Sequence, residues 1–268
     1  MFPFLRQFFR SAPARPAANM PAGQRSYVIG DVHGRLDLFE RLIDAVEQDD
    51  REAAPAETTV ILLGDLVDRG PDSAGVIDRV RRWKTARTVR ILAGNHEEMF
   101  LESFTDLNIL RHFLKHGGRE TVLSYGVDQR LYNEASLEEL QQIMRRHVPD
   151  ADRKFLGSFE EYITLGDYAF VHAGINPGLP LEAQTRRDML WIRDPFLGFA
   201  GPHSHVIVHG HTIAEHVEER SNRIGIDTGA YRYGRLTALV LEGSDQRYIQ
   251  SVQGEDGIKI EHRSAATD

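Results

Sequence analysis

Five short runs along the chain set carboxylates, amides and imidazoles among glycines: Gly30-Asp31-Val32-His33-Gly34, Gly64-Asp65-Leu66-Val67-Asp68-Arg69-Gly70, Gly94-Asn95-His96-Glu97, His172-Ala173-Gly174 and His209-Gly210-His211-Thr212. Hard oxygen donors mixed with imidazole nitrogen suit Mn²⁺, Fe or Zn²⁺ better than the all-oxygen cages that hold Ca²⁺ or Mg²⁺. Two such ions held about 3.5–4 Å apart share a ligand and clamp the attacking and leaving oxygens of an in-line displacement at phosphorus. Taken singly, Asp31, Asp65 or Asn95 reads as a helix N-cap or a turn residue. Recurrence of the pattern is what points to ligands.

The elements that must position these runs are read from the apolar spacing between them. Residues 27–30, 58–64 and 88–93 are short apolar stretches that predict strands, and each leads into one of the runs. Leu36, Phe39, Leu42, Ile43 and Val46 recur at helical spacing after the first strand, and Val76, Ile77, Val80 and Trp83 share one face of a helix from about Ser73. Strand, helix, strand, helix, strand predicts a largely parallel βαβαβ unit, in which ligands bind beyond the carboxyl ends of the strands. Residues 97–156 read as helical, with Ser136 and Glu139 forming a capping box. Strands return at 162–165 and 168–172 around a Gly166-Asp167 turn, and again at 206–209, 235–241 and 248–252. The expected fold is α/β, a sandwich of mixed β-sheets flanked by helices. Residues 1–25, rich in Pro and Ala, read as a flexible N-terminal tail, 26–253 as one catalytic domain and 254–268 as a C-terminal tail.

The composition narrows the chemistry further. Zero cysteines remove disulfides, thiolate nucleophiles and iron–sulfur clusters, so any metal must use His, Asp, Asn or Glu. A net charge of −8 disfavours broad attraction to nucleic acid, so an anionic substrate must be met by a local positive site. No apolar run approaches the roughly 20 residues needed to span a bilayer, and a cytoplasmic location is expected.

The five runs, in this order, resemble the metallo-dependent phosphoprotein phosphatase family, above all its bacterial and phage branch typified by the phage lambda protein phosphatase. Leu190-Trp191-Ile192-Arg193, Ile226-Asp227-Thr228-Gly229-Ala230 and Leu236-Thr237 extend the resemblance over about residues 26–242. It implies a calcineurin-like metallophosphoesterase sandwich and hydrolysis of phosphoserine or phosphothreonine in proteins by direct attack of a metal-bridging hydroxide. Two divalent ions are implied, Mn²⁺ first with Fe or Zn²⁺ as alternatives: Asp31 and His33 on one, Asn95, His172 and His211 on the other, and Asp65 bridging. His96 is implied as the acid that protonates the leaving oxygen and Asp68 as the group that orients it. Arg69 and Arg193, with Asn95, are the expected phosphate-binding residues, guanidinium being a planar fork that matches phosphate oxygens.

The alternative enzyme is a dinucleoside polyphosphate hydrolase, such as a diadenosine tetraphosphate hydrolase, whose sequences share the same five motifs. Asp68, and Glu97 after Gly-Asn-His, favour the phosphoprotein branch. A third reading, a binding module that has kept the fold, is opposed by the complete ligand set. Asp227 resembles a position that orders a metal-ligating histidine. His209 reads as a buried or supporting histidine, and His116, beside Gly117-Gly118, as a groove or capping residue.

Overall fold

The computed structural model describes residues 18–265, and the proposed tail residues 1–17 lie outside them. Its plan follows from strands that are apolar on both faces. In strand β1 (Gln24–Ile29), Tyr27 and Ile29 pack with Leu38, Phe39 and Leu42, while Val28 between them packs with Phe170 and Val208. A side chain on each face demands cover on each side. One cover is helical: α1 (Leu36–Glu52) and α2 (Ser73–Ala86) bury the faces read from the sequence. The other is a second sheet.

The first sheet has six strands. Parallel β1, β2 (Glu57–Leu62) and β3 (Val89–Ile91) form one half, and the antiparallel meander β9 (Arg235–Glu242), β10 (Asp245–Gly254) and β11 (Gly257–Ser264) joins at β1. The second has five, ordered β4 (Tyr162–Leu165), β5 (Tyr168–Val171), β6 (Val206–His209), β8 (Arg223–Gly225) and β7 (Glu218–Glu219), with β5, β6 and β8 parallel. The expected α/β sandwich of two mixed sheets flanked by helices is therefore the fold. Six helices fill the middle third. They run from α3 (Asn95–Glu102) through α4 (Leu107–Phe113), α5 (Arg119–Ser124), α6 (Gln129–Glu134) and α7 (Leu137–His147), capped by Ser136 and Glu139, to α8 (Asp150–Leu156), around Phe100, Phe113 and Met144.

Both ends of the expected domain extend further. Residues 254–268, read as a tail, contain β11, which pairs with β10 from Arg247↔Ser264 to Gly254↔Gly257. The signal was an alternation, Ile258 and Ile260 between Lys259 and Glu261, too polar on its outer side to register as a strand. At the other end, Arg25, placed in the N-terminal tail, is buried at 1% exposure and ion-paired to Glu242 and Asp50, so β1 begins inside that segment. Among the described residues, no helix is long and apolar enough to cross a membrane.

Glycine is required where the sandwich brings motif loops together. Gly64 holds φ +96°, and a Cβ there would stand 2.7 Å from the backbone nitrogen of Gly94. Gly64→Ala is expected to cost about 1–3 kcal/mol, read as a lowered urea midpoint at unchanged m-value.

Candidate metal centre

The runs converge because their strands share a direction. Just beyond the carboxyl ends of β1, β2, β5 and β6 come Asp31, Asp65, His172 and His211, and α3 begins with Asn95 and His96. All five non-glycine residues with positive φ among those described lie here: His33 (+47°), Asp65 (+50°), Asp68 (+73°), Arg69 (+69°) and His211 (+62°). Such conformations cost of order 1–3 kcal/mol each and persist only where the surroundings enforce them. Close approach adds to this: a Cβ at Gly210 would fall 2.0 Å from Asp31 Oδ1.

Asp65 is the centre of the arrangement. Its Oδ1 lies 3.4 Å from His172 Nε2, and its Oδ2 lies 3.6 Å from His33 Nε2 and 3.9 Å from His96 Nε2. Two donor sets that share it, His33-Asp65-His96 and Asp65-His172-His211, are compact enough to hold a metal ion each. Asn95 Oδ1 joins the second set, 3.0 Å from His172 Nε2 and 2.8 Å from His211 Nδ1. Asp31 falls outside both compact sets. Its Oδ2 accepts the His211 backbone N–H at 3.0 Å, and its buried Oδ1 has no hydrogen-bond partner.

The tautomers are fixed from behind. His33 Nδ1 donates to the Val67 carbonyl and His172 Nδ1 to the Leu63 carbonyl, each at 2.8 Å, so both Nε2 lone pairs point into the site. His172 Nε2 consequently faces two acceptors, Asn95 Oδ1 and Asp65 Oδ1. Burial pulls His33 and His172 below the ordinary imidazole range and His211 down to about 2, so these rings are neutral ligands. Burial together with the charges of Asp227 and Asp65 pushes Asp31 well above the usual carboxylate range. For Asp65 burial acts in the same direction, but His172, His96 and His33 outweigh it and hold it low. Acceptors and carboxylates crowded without intervening protons are what a cation site requires.

His96 stands apart from the other rings. Its Nδ1 donates to Asp68 Oδ2 at 2.6 Å, and although burial lowers its pKa, the charge of Asp65 and the Asp68 bond outweigh that and raise it. Arg69 lies over the Tyr231 ring at 4.6 Å and donates to His33 Nε2 at 3.0 Å. Arg193 is exposed at the rim and reaches Thr212 Oγ1 at 3.4 Å.

Asp227 is buried beside Asp31, raised to about 6 by burial, and its Oδ2 has no partner. The expectation that it orders a ligating histidine gives way to the two backbone carbonyls that do so for His33 and His172. His209 points away from the centre, packed at 5.0 Å on Phe196 beside Arg223, and burial lowers it to about 4. His116 bonds back to the His112 carbonyl.

Sequence reasoning missed the part played by four residues. The Glu97 carboxylate accepts backbone N–H bonds from Asp65, Leu66 and Gly94 at 2.9, 2.7 and 2.9 Å, so the residue used to separate two branches is a structural tie. Thr121 and Ser73 grip Asp68. Tyr231 gives Arg69 its ring. Their signal was weak because none belongs to a motif slot with an assigned role. Trp191, whose ring lies 6.3 Å from that of His211, borders a groove of about 590 Å³ together with Met99, Ile109, His112 and Arg186.

Known proteins resemble this chain along most of its length. A bis(5′-nucleosyl)-tetraphosphatase PrpE (asymmetrical) of Bacillus thuringiensis strain Al Hakam is 29% identical over 230 residues, covering 79% of this chain and 88% of that one. A symmetrical bis(5′-nucleosyl)-tetraphosphatase of Paracidovorax citrulli strain AAC00-1 is 33% identical over 161 residues, 59% of this chain and 46% of that one. These names carry the dinucleotide activity that the sequence reading placed second. Among solved structures, the cold-active protein-tyrosine phosphatase of a psychrophilic Shewanella species superposes with a TM-score of 0.54 at 20% identity, over 93% of this chain and 83% of that one, a likeness of fold. The signature of the calcineurin-like phosphoesterases matches residues 25–225, most of the chain and every ligand run described above, and the protein belongs to that family.

Proposed function

We propose that the protein is a hydrolase of dinucleoside polyphosphates that works with two divalent metal ions. The hydrolytic reading is carried by one observation: Asp65 stands between two compact donor sets, with the Nε2 lone pairs of His33 and His172 turned toward its two carboxylate oxygens. The dinucleotide reading is supported by the relatives of that name that span most of both chains.

The donors present fit such ions. Asp31 Oδ1 without a partner, and His172 Nε2 turned toward two oxygens, are atoms that a bound cation would satisfy. Asp31, His33 and Asp65 would hold one ion, and Asp65, Asn95, His172 and His211 the other. Mn²⁺ is our first choice, with Fe or Zn²⁺ compatible with the same donors. Bound there, the ions polarise the phosphorus–oxygen bonds and supply a nucleophile from water near neutral pH. His96 stays outside the proposed ligand set because its Nδ1 donates to a carboxylate and its pKa is raised where those of His33 and His172 are lowered, so its Nε2 can carry the proton given to the leaving oxygen. Arg69 and Arg193, with the Asn95 amide, grip the phosphate oxygens.

A second reading, phosphoserine or phosphothreonine in proteins, is favoured by that same buried Asp68–His96 pair. A nucleotide phosphate leaves readily, whereas an alkoxide needs a proton in flight, which is worth about 10²–10⁴ in rate.

Three outcomes are expected. Stripping with a chelator abolishes turnover, and Mn²⁺ restores it while raising the Tm, since a ligand bound to the folded state alone stabilises it; an unchanged Tm speaks against the donor set. Asp65→Ala loses metal by elemental analysis together with activity, whereas His96→Asn keeps its metal and loses roughly 10²–10⁴ in kcat on an alkyl phosphate. With Mn²⁺ bound, kcat/KM for diadenosine tetraphosphate exceeds that for a phosphothreonine peptide; the reverse order moves the chain to the second reading with its centre intact.

A further inference from the structure

We propose that Thr121, on a short helix far in sequence from every ligand run, is a positioning residue for the leaving-group acid: it fixes Asp68, and through Asp68 the ring of His96. The proposal rests on the reading above that His96 protonates the leaving oxygen.

Thr121 is fully buried on α5, 53 residues from Asp68. Its hydroxyl donates to Asp68 Oδ1 at 2.7 Å, which uses the one proton a hydroxyl has. Ser73 Oγ, 2.8 Å from Thr121 Oγ1, must then be the donor in that contact. The Asp68 backbone N–H divides between the two hydroxyl oxygens, at 2.8 Å to Thr121 and 3.0 Å to Ser73. Thr121 therefore holds Asp68 at both ends, by its carboxylate and by its nitrogen. Nothing else binds Oδ1, and Oδ2 is taken by His96 Nδ1 at 2.6 Å. Both carboxylate oxygens are thus engaged, which stabilises the carboxylate against the burial that raises its pKa.

The backbone makes the constraint necessary. Asp68 sits at φ +73°, a conformation an aspartate adopts only when held. Besides the two hydroxyls, what holds this turn is again α5's side of the molecule: Arg69 N–H donates to the Gly117 carbonyl at 3.0 Å, one turn before Thr121. Without the hydroxyl, Asp68 Oδ1 is a buried charged oxygen with no donor, and the carboxylate can turn away from His96. A charge-assisted hydrogen bond is worth enough to change a rate by roughly 10- to 100-fold.

A misplaced acid has a specific signature, because it harms substrates in proportion to their need for a proton. Thr121→Val, Thr121→Ser and His96→Asn are loaded with Mn²⁺ and assayed on phenyl phosphate and p-nitrophenyl phosphate, two aryl esters of similar shape whose leaving phenols differ in acidity. Thr121→Val is expected to lose roughly 10- to 100-fold in kcat on phenyl phosphate and less than about threefold on p-nitrophenyl phosphate, with KM and metal content unchanged. Thr121→Ser, which keeps the hydroxyl, matches wild type on both. Should Thr121→Val fail to fold, Thr121→Ala removes the hydroxyl without asking for space and carries the same expectation. Equal losses on both esters, or a serine variant no better than valine, overturn the proposal. If His96→Asn shows the leaving-group dependence and Thr121→Val does not, Thr121 alone is wrongly assigned; if His96→Asn loses both substrates equally, the acid reading fails and takes this proposal with it.

Discussion

One buried carboxylate ties the catalytic loops together. Glu97, 1% exposed, receives the backbone N–H groups of Asp65 and Leu66 from the loop after β2 and of Gly94 from the loop after β3. Those nitrogens lie in non-helical, non-strand backbone where no ladder is available to them, and an unpaired buried N–H costs about as much as a lost hydrogen bond. The interaction therefore does two things. It satisfies donors that the sandwich itself leaves over, and it fixes Asp65 at φ +50° with its carboxylate between two sets of imidazoles. The same burial raises Glu97 to about 7, with the charge of Asp65 adding to it. The backbone N–H groups of Asp65, Leu66, Val67 and Gly94, all donating to its carboxylate, favour the ionised form against that pressure.

The centre is built on excess. Asp31, Asp65 and Asp227 are all buried and push one another's charge, and the lone pairs of His33 and His172 face carboxylate oxygens because backbone carbonyls have claimed their protons. A bound cation would relieve such crowding. In the proposed function net charge then ceases to matter for substrate binding, since a chain of −8 meets a phosphate locally, at this centre and at Arg69 and Arg193.

Much of this was legible in the residues, and for a physical reason. Ligand runs at strand ends and helices with one apolar face are local patterns, so the parallel unit, α2 beginning at Ser73, the capping box at Ser136 and the hairpin around Gly166-Asp167 follow from spacing alone. Strand β11 did not, because an outer strand with one solvated face carries Lys259, Glu261 and Arg263 where a core strand carries Val or Ile. Within the site, the metal donors were legible as residue types, whereas Glu97, Thr121 and Ser73 were not: each acts on backbone or carboxylate atoms of a loop that only folding brings near. The Asp227 expectation failed for a related reason. Which atom orders a histidine depends on where the strands' own carbonyls end up, and Val67 and Leu63 end up closer.

The relatives' names and the Asp68–His96 pair pull in different directions, and the leaving group explains how both can hold on one scaffold. In the proposed function the metal donors and arginines act on the phosphoryl group itself, which a dinucleotide and a phosphoprotein share; nothing in that half of the site distinguishes them. Only the far side of the phosphorus differs, where one substrate releases a stable phosphate anion and the other an alkoxide. A buried imidazole bonded to a carboxylate costs the fold a strained aspartate and the two hydroxyls that hold it. With His96 as the proposed leaving-group acid, the arrangement harms neither substrate and helps only the second. On that proposal, the same scaffold serves esters with poor leaving groups as well as dinucleotides.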